Sequence, residues 1–211
     1  MIPSDFLLCS PEEYYSNKMQ NFILKNNQDP SKKWIYGVST SEHENIILEH
    51  AQWTIVTDKL STNPRYLVVF KDRSLKTIRD LRVLHLPMLR QLQRLVPAYF
   101  QKPMQCFFHY FPSVYQLHMH IAPEKNHRIT DRAHPLNCVI NNLQNNSNHY
   151  KNALILTRLH KSMRNSNIHK KMLCCQEDIV ISKCQWPQDT ANTGKDKKYL
   201  FQDDMRFAFT T

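Results

Sequence analysis

Histidine is the side chain that most readily serves as base, nucleophile or acid near neutral pH, and this chain sets two of its eleven on alternate positions of one stretch, Gln116-Leu117-His118-Met119-His120-Ile121. Strict alternation is the repeat of a strand with one buried face. Gln116, His118 and His120 then share a face toward water or a ligand, while Leu117, Met119 and Ile121 face a core. Imidazoles presented by a rigid strand suit nucleophilic or acid–base chemistry. The same pair also fits two plainer roles, a solvated polar face or part of a metal site. Zinc asks for three or four ligands, and neither Cys-x-x-Cys nor His-Glu-x-x-His occurs here, so no metal and no cofactor are expected.

Composition bounds the rest. A chain of 211 residues with 41% hydrophobic content holds one ordinary domain, or a small domain with an appendage. Its 28 Lys and Arg against 18 Asp and Glu give a net charge of +10, which favours polyanionic partners such as RNA, nucleotides or acidic membranes. Only two glycines occur, Gly37 and Gly194, so neither a P-loop nor a dinucleotide-binding glycine turn is available. Phosphates must be met by side chains or by other backbone amides. Six cysteines lack a disulfide-scaffold spacing and follow no signal peptide, which reads as intracellular thiols. No apolar run approaches the roughly 20 residues that span a bilayer.

The elements that must position the histidines read as follows. Ser10-Pro11-Glu12-Glu13 opens a helix that runs to about Lys25, through a capping hydroxyl and a proline in the first turn. Trp34 to Glu49 reads as a β-hairpin with a polar tip between Ser39 and His43. Strands follow at Trp53 to Thr57 and Arg65 to Phe70, then a short helix capped by Ser74 and a second from Pro87 to Pro97. Met104 to Tyr110 and Tyr115 to Ile121 are strands separated by Pro112-Ser113; a helix from Asp131 to Leu143 and a strand over Ala153 to Leu156 complete the order. Beyond residue 165 the apolar period fades, and 166–211 reads as a disordered appendage.

The stretch His109-Tyr110-Phe111-Pro112-Ser113-Val114-Tyr115-Gln116-Leu117-His118-Met119-His120 resembles the hallmark His-Tyr-x-Pro-Ser-Tyr-Tyr-His-Leu-His-Val-His of the scavenger mRNA-decapping enzymes, within the histidine triad superfamily. Ser74 to Leu89 resembles another segment of that family, as does Trp34-Ile35-Tyr36, and the likeness covers roughly residues 15 to 165. It implies that His118 is a nucleophile toward the phosphorus next to the 7-methylguanosine moiety and that His120 orients it or meets a phosphate oxygen. His109 and Ser113 would donate to phosphates, Trp34 would stack on the base, and Glu42, or Glu44, would accept from the guanine edge. Asp58 and Lys59 match a cap-contacting pair, and Arg132 a substrate arginine. In two places the chain departs from the family pattern: Gln116 stands for the first histidine of the triad and Val114 for a tyrosine. Most of the family's N-terminal lid has no counterpart before residue 10.

The expectation is therefore an α+β protein. Residues 51–165 form a histidine-triad-like antiparallel sheet with flanking helices, 1–50 a short helix and cap-binding hairpin, and 166–211 the appendage. By the resemblance it hydrolyses cap dinucleotides or short capped mRNA fragments without metal or cofactor, as a cytoplasmic or nuclear homodimer away from membranes. The rival is a cap-binding paralogue that binds without turnover.

Overall fold

The computed structural model describes residues 6–38, 45–58, 65–123, 132–158 and 208–209. Strand β1 (Phe6–Cys9) leads into α1 (Pro11–Tyr15), whose capping box is complete: Ser10 Oγ accepts from the Glu13 amide at 3.2 Å, and Glu13 Oε2 accepts from the Ser10 amide at 2.9 Å. The expected single helix is broken at Ser16. Its hydroxyl donates to the Glu13 carbonyl at 2.7 Å, ending α1, and accepts from the Met19 amide at 3.3 Å, starting α2 (Asn17–Gln28).

The expected hairpin is corrected. Trp34–Val38 is a helical turn, α3, and only β2 (Ile46–Glu49) of that span is a strand. Asp29 caps the preceding 3-10 turn Pro30–Lys32 and launches the chain helically. Ile35 and Val38, three apart, then bury together against Val56, Leu67 and Val69. Tertiary burial here overrides the β preference of Ile and Val.

One sheet of six strands carries the site. In spatial order it runs β2, β3 (Trp53–Thr57), β4 (Tyr66–Phe70), β6 (His118–Pro123), β5 (Met104–His109) and β7 (Ala133–Pro135), every pairing antiparallel. Between β4 and β5 lie the 3-10 turns Ile78–Asp80 and Val83–His85, in place of the expected helix from Ser74, and then α4 (Leu86–Phe100). The helix expected from Asp131 begins later, as α5 (Leu136–Asn145), because Pro135 forces the residue before it to be extended and so makes β7. After α6 (His149–Asn152), β8 (Leu154–Arg158) pairs with β1 and with β9 (Ala208–Phe209) in a second sheet.

The large core lies on one face of the main sheet, where Leu117, Met119 and Ile121 join Ile55, Val68, Phe70 and Phe108 against α4 and α5, as the alternation predicts. The other face carries Val56, Leu67 and Val69 under α3, then the histidines. Among the described residues no helix is long and apolar enough to cross a membrane.

Candidate active site

Residues directly opposite in an antiparallel pair share a face. His118 lies opposite Val69, and His120 lies between Leu67 of β4 and Phe107 of β5, so both imidazoles stand on the face covered by α3. His109, two residues beyond Phe107, joins them. The His109 and His120 ring centroids are 4.3 Å apart, His118 and His120 are 5.3 Å apart, and Phe107 stacks on His120 at 5.4 Å with the planes within 9°. Three imidazoles thus form one contiguous array, of which His118 is buried and the other two half-buried.

His118 Nδ1 lies 2.8 Å from the main-chain oxygen of Gln116. A carbonyl can only accept, so Nδ1 carries the proton and Nε2 presents its lone pair. Burial depresses the His118 pKa below the ordinary 6.5; the Gln116 carbonyl and the Asp58 carboxylate pull the other way without cancelling it. The imidazole is then neutral near pH 7, as a nucleophile requires.

The other predicted residues fall as follows. Gln116 is buried, and its amide points away from solvent, Nε2 donating to Phe70 O at 2.7 Å and Asp72 O at 2.9 Å. Ser113 is exposed in the connection between β5 and β6, whereas its neighbours Pro112 and Val114 are buried. Arg132 lies just before β7 and not on a helix; its Nη1 donates to Phe111 O at 3.2 Å, and its carbonyl accepts from the Tyr110 amide at 2.9 Å, tying it to the same connection. Trp34 is half-buried on α3 over the histidine face, beside Tyr36, on whose ring the Arg73 guanidinium sits at 5.7 Å. Asp58, at the end of β3, is near enough to act on His118. Lys59, Glu42 and Glu44 lie outside the described residues.

Two contributors were not legible. The carbonyl that orients His118 belongs to the main chain, which leaves no residue-type signal, and the Arg73–Tyr36 contact joins separate elements. Neither Cys9 nor Cys106 competes as the nucleophile: burial raises the Cys9 pKa and pushes Cys106 to about 12. Among the described residues no group of three or more His, Cys, Asp or Glu is arranged to hold a metal ion.

Acid should weaken this fold. Burial depresses His85, His118 and His149 below 6.5, so wherever the pH is below that value the unfolded chain binds more protons than the folded one. Their contribution is complete above 6.5 and lost as the pH falls through the depressed values. The urea midpoint is expected to drop between about pH 7 and about pH 5, before ordinary carboxylates titrate; an unchanged or rising midpoint contradicts this.

The protein is thus an α+β protein whose antiparallel sheet, flanked by helices, carries a strand-borne histidine array. Residues 33–134 match the family described as "Scavenger mRNA decapping enzyme C-term binding". The m7GpppX diphosphatase of Bos taurus is 29% identical over 145 residues, covering 59% of this chain and 43% of that protein. That of Caenorhabditis elegans is 29% identical over 157 residues, covering 68% and 49%, and that of Schizosaccharomyces pombe 26% over 172 residues, covering 71% and 56%. The chain is similar to the scavenger mRNA-decapping enzymes over these residues, and it spans about half the length of the curated relatives it matches. Among solved structures, the aprataxin ortholog Hnt3 from Schizosaccharomyces pombe aligns with a TM-score of 0.40 and 13% identity, covering 68% of this chain and 92% of that one.

Proposed function

We propose that the chain hydrolyses 7-methylguanosine cap dinucleotides or short capped oligonucleotides, with His118 as nucleophile and the methylguanosine monophosphate as product. The observation that carries this reading is the 2.8 Å contact between His118 Nδ1 and the Gln116 carbonyl, which only an Nδ1–H can make as a hydrogen bond and which leaves Nε2 for attack. Nε2 forms a bond to the phosphorus next to methylguanosine, and the bond from that phosphorus to the bridging oxygen breaks, releasing the rest of the phosphate chain. The imidazolium formed keeps Nδ1–H on the Gln116 oxygen, a contact that strengthens as the ring gains charge. Water then displaces the imidazole and restores its lone pair. His109, His120, Ser113 and Arg132 meet the phosphate oxygens, and the Asp58 carboxylate offsets the charge on His118.

Trp34 supplies the base platform. A cationic methylguanine over an indole face gains about 0.5–2 kcal/mol, so Trp34→Ala is expected to raise KM by roughly two- to thirtyfold with kcat little changed. An unaltered KM in steady-state kinetics removes Trp34 from the base site.

The reading is tested by incubating the full chain with methylated and unmethylated cap dinucleotides and separating the nucleotides. Release of the methylated monophosphate, preferentially from the methylated cap, supports it. Saturable binding without product favours the cap-binding paralogue instead. The activity is expected to be level near neutral pH and to fall below a pKa that lies under 6.5, as His118 takes up a proton. Pairing into a homodimer belongs to the same proposal; light scattering that finds a monomer at micromolar concentration removes that part.

A further inference from the structure

The ladder between β4 and β6 ends at Val69 opposite His118, yet the main chain on either side of that point stays tightly held. The Phe70 amide donates to Leu117 O at 3.1 Å, and the Leu117 amide to Leu75 O at 2.8 Å. Between these two bonds the buried Gln116 side chain takes the place of a further rung, its one NH2 group serving Phe70 O at 2.7 Å and Asp72 O at 2.9 Å. The turn it grips is closed from outside by Asp72, whose carboxylate accepts from the Ser74 amide at 2.8 Å and hydroxyl at 2.7 Å.

We infer that Gln116 is a positioning residue: its amide anchors the strand entrance to the 70–72 turn and thereby fixes the main-chain carbonyl that sets the tautomer of His118. The site as built requires an amide at this place. A neutral imidazole has one N–H and can serve only one of the two carbonyls, leaving the other buried without a donor. An imidazolium has two, but they diverge, and it would bury an unpaired charge. Histidine at position 116, the residue of the family's hallmark, is therefore expected to lower turnover here.

The inference rests on His118 as the nucleophile, so its first test is made without substrate. Long-range proton–nitrogen spectra of the labelled full chain are expected to show His118 as a single Nδ1–H tautomer in the wild type and as a mixture in Q116H and Q116E. With a cap dinucleotide, kcat of both variants is expected to fall about ten- to a hundredfold, as for a displaced reacting group, with KM changed less than about twofold. An Nε2–H tautomer in the wild type overturns the inference. So do folded variants that keep the Nδ1–H tautomer and full kcat. Should neither variant fold, Asp72→Ala loosens the gripped turn from its exposed side; it is expected to shift the His118 tautomer the same way, and an unchanged spectrum overturns the inference. A wild type without turnover counts against the proposed reaction alone, since the substrate-free spectra still judge the role of Gln116.

Discussion

His118→Asn is expected to abolish cap hydrolysis, by roughly four orders of magnitude or more, while the protein stays folded and still binds the cap. Loss of a covalent nucleophile removes the route through the intermediate and not merely one contact within it. Asparagine is the informative replacement because its amide NH2 falls near the place of the imidazole Nδ1. It can still donate to the Gln116 carbonyl that His118 holds at 2.8 Å, so the buried acceptor keeps a partner. Stability should therefore change by less than about 1 kcal/mol, and the steric fit against Val69 is little altered. The measurement is single-turnover cleavage beside a urea melt. A folded Asn variant that retains a tenth or more of wild-type turnover places the nucleophile elsewhere. His120→Asn is the comparison: His120, half-buried and beside His109, is proposed to meet a phosphate oxygen, and on that reading its loss should cost about two orders of magnitude, as for one stabilising donor.

The histidine strand was legible because its signal is local. Alternation alone assigned Leu117, Met119 and Ile121 to the core and the imidazoles to the opposite face, and the helix start at Ser10, with its capping hydroxyl and first-turn proline, was readable from four residues. Trp34–Val38 was not, since its aromatic and β-branched residues have the composition of a strand and only burial of Ile35 and Val38 beneath the sheet makes the turn helical. Pro135 held a readable warning: a proline after His134 already argues against a helix through Arg132. The Gln116 clamp reaches carbonyls 46 and 44 residues away in the chain, and contacts of that range have no periodicity to read. Arg79 stood in a charged segment with nothing to mark it as buried.

Replacing that arginine is expected to be the costliest single change to the fold. Arg79 is fully buried with no carboxylate among its hydrogen-bond partners: Nε donates to the Tyr110 hydroxyl at 2.7 Å, Nη1 to the Tyr150 and Ala153 carbonyls at 3.0 Å each, and Nη2 to the Cys9 carbonyl at 2.7 Å. The rings of Tyr14 and Tyr110 face the guanidinium at 5.4 and 5.2 Å. One planar group thus joins the end of β1, the segment around α6 and the start of the motif connection. Arg79→Met fills much of the volume but leaves three buried carbonyls and a phenol without their donor, each worth about 1–3 kcal/mol and not additive. A loss of about 3–5 kcal/mol follows, comparable to breaking a buried charged network and a large part of the stability of an ordinary domain. Arg79→Lys should recover little, because an ammonium cannot reach these acceptors in the fork arrangement. The effect extends to the site through Tyr110, whose amide donates to Arg132 O at 2.9 Å and whose carbonyl accepts from the Thr157 hydroxyl, so residual folded protein should bind substrate phosphates more weakly. Urea unfolding with an unchanged slope is the measurement; an Arg79→Met midpoint equivalent to less than about 1 kcal/mol of destabilisation would show that the tyrosine rings and carbonyls find other partners.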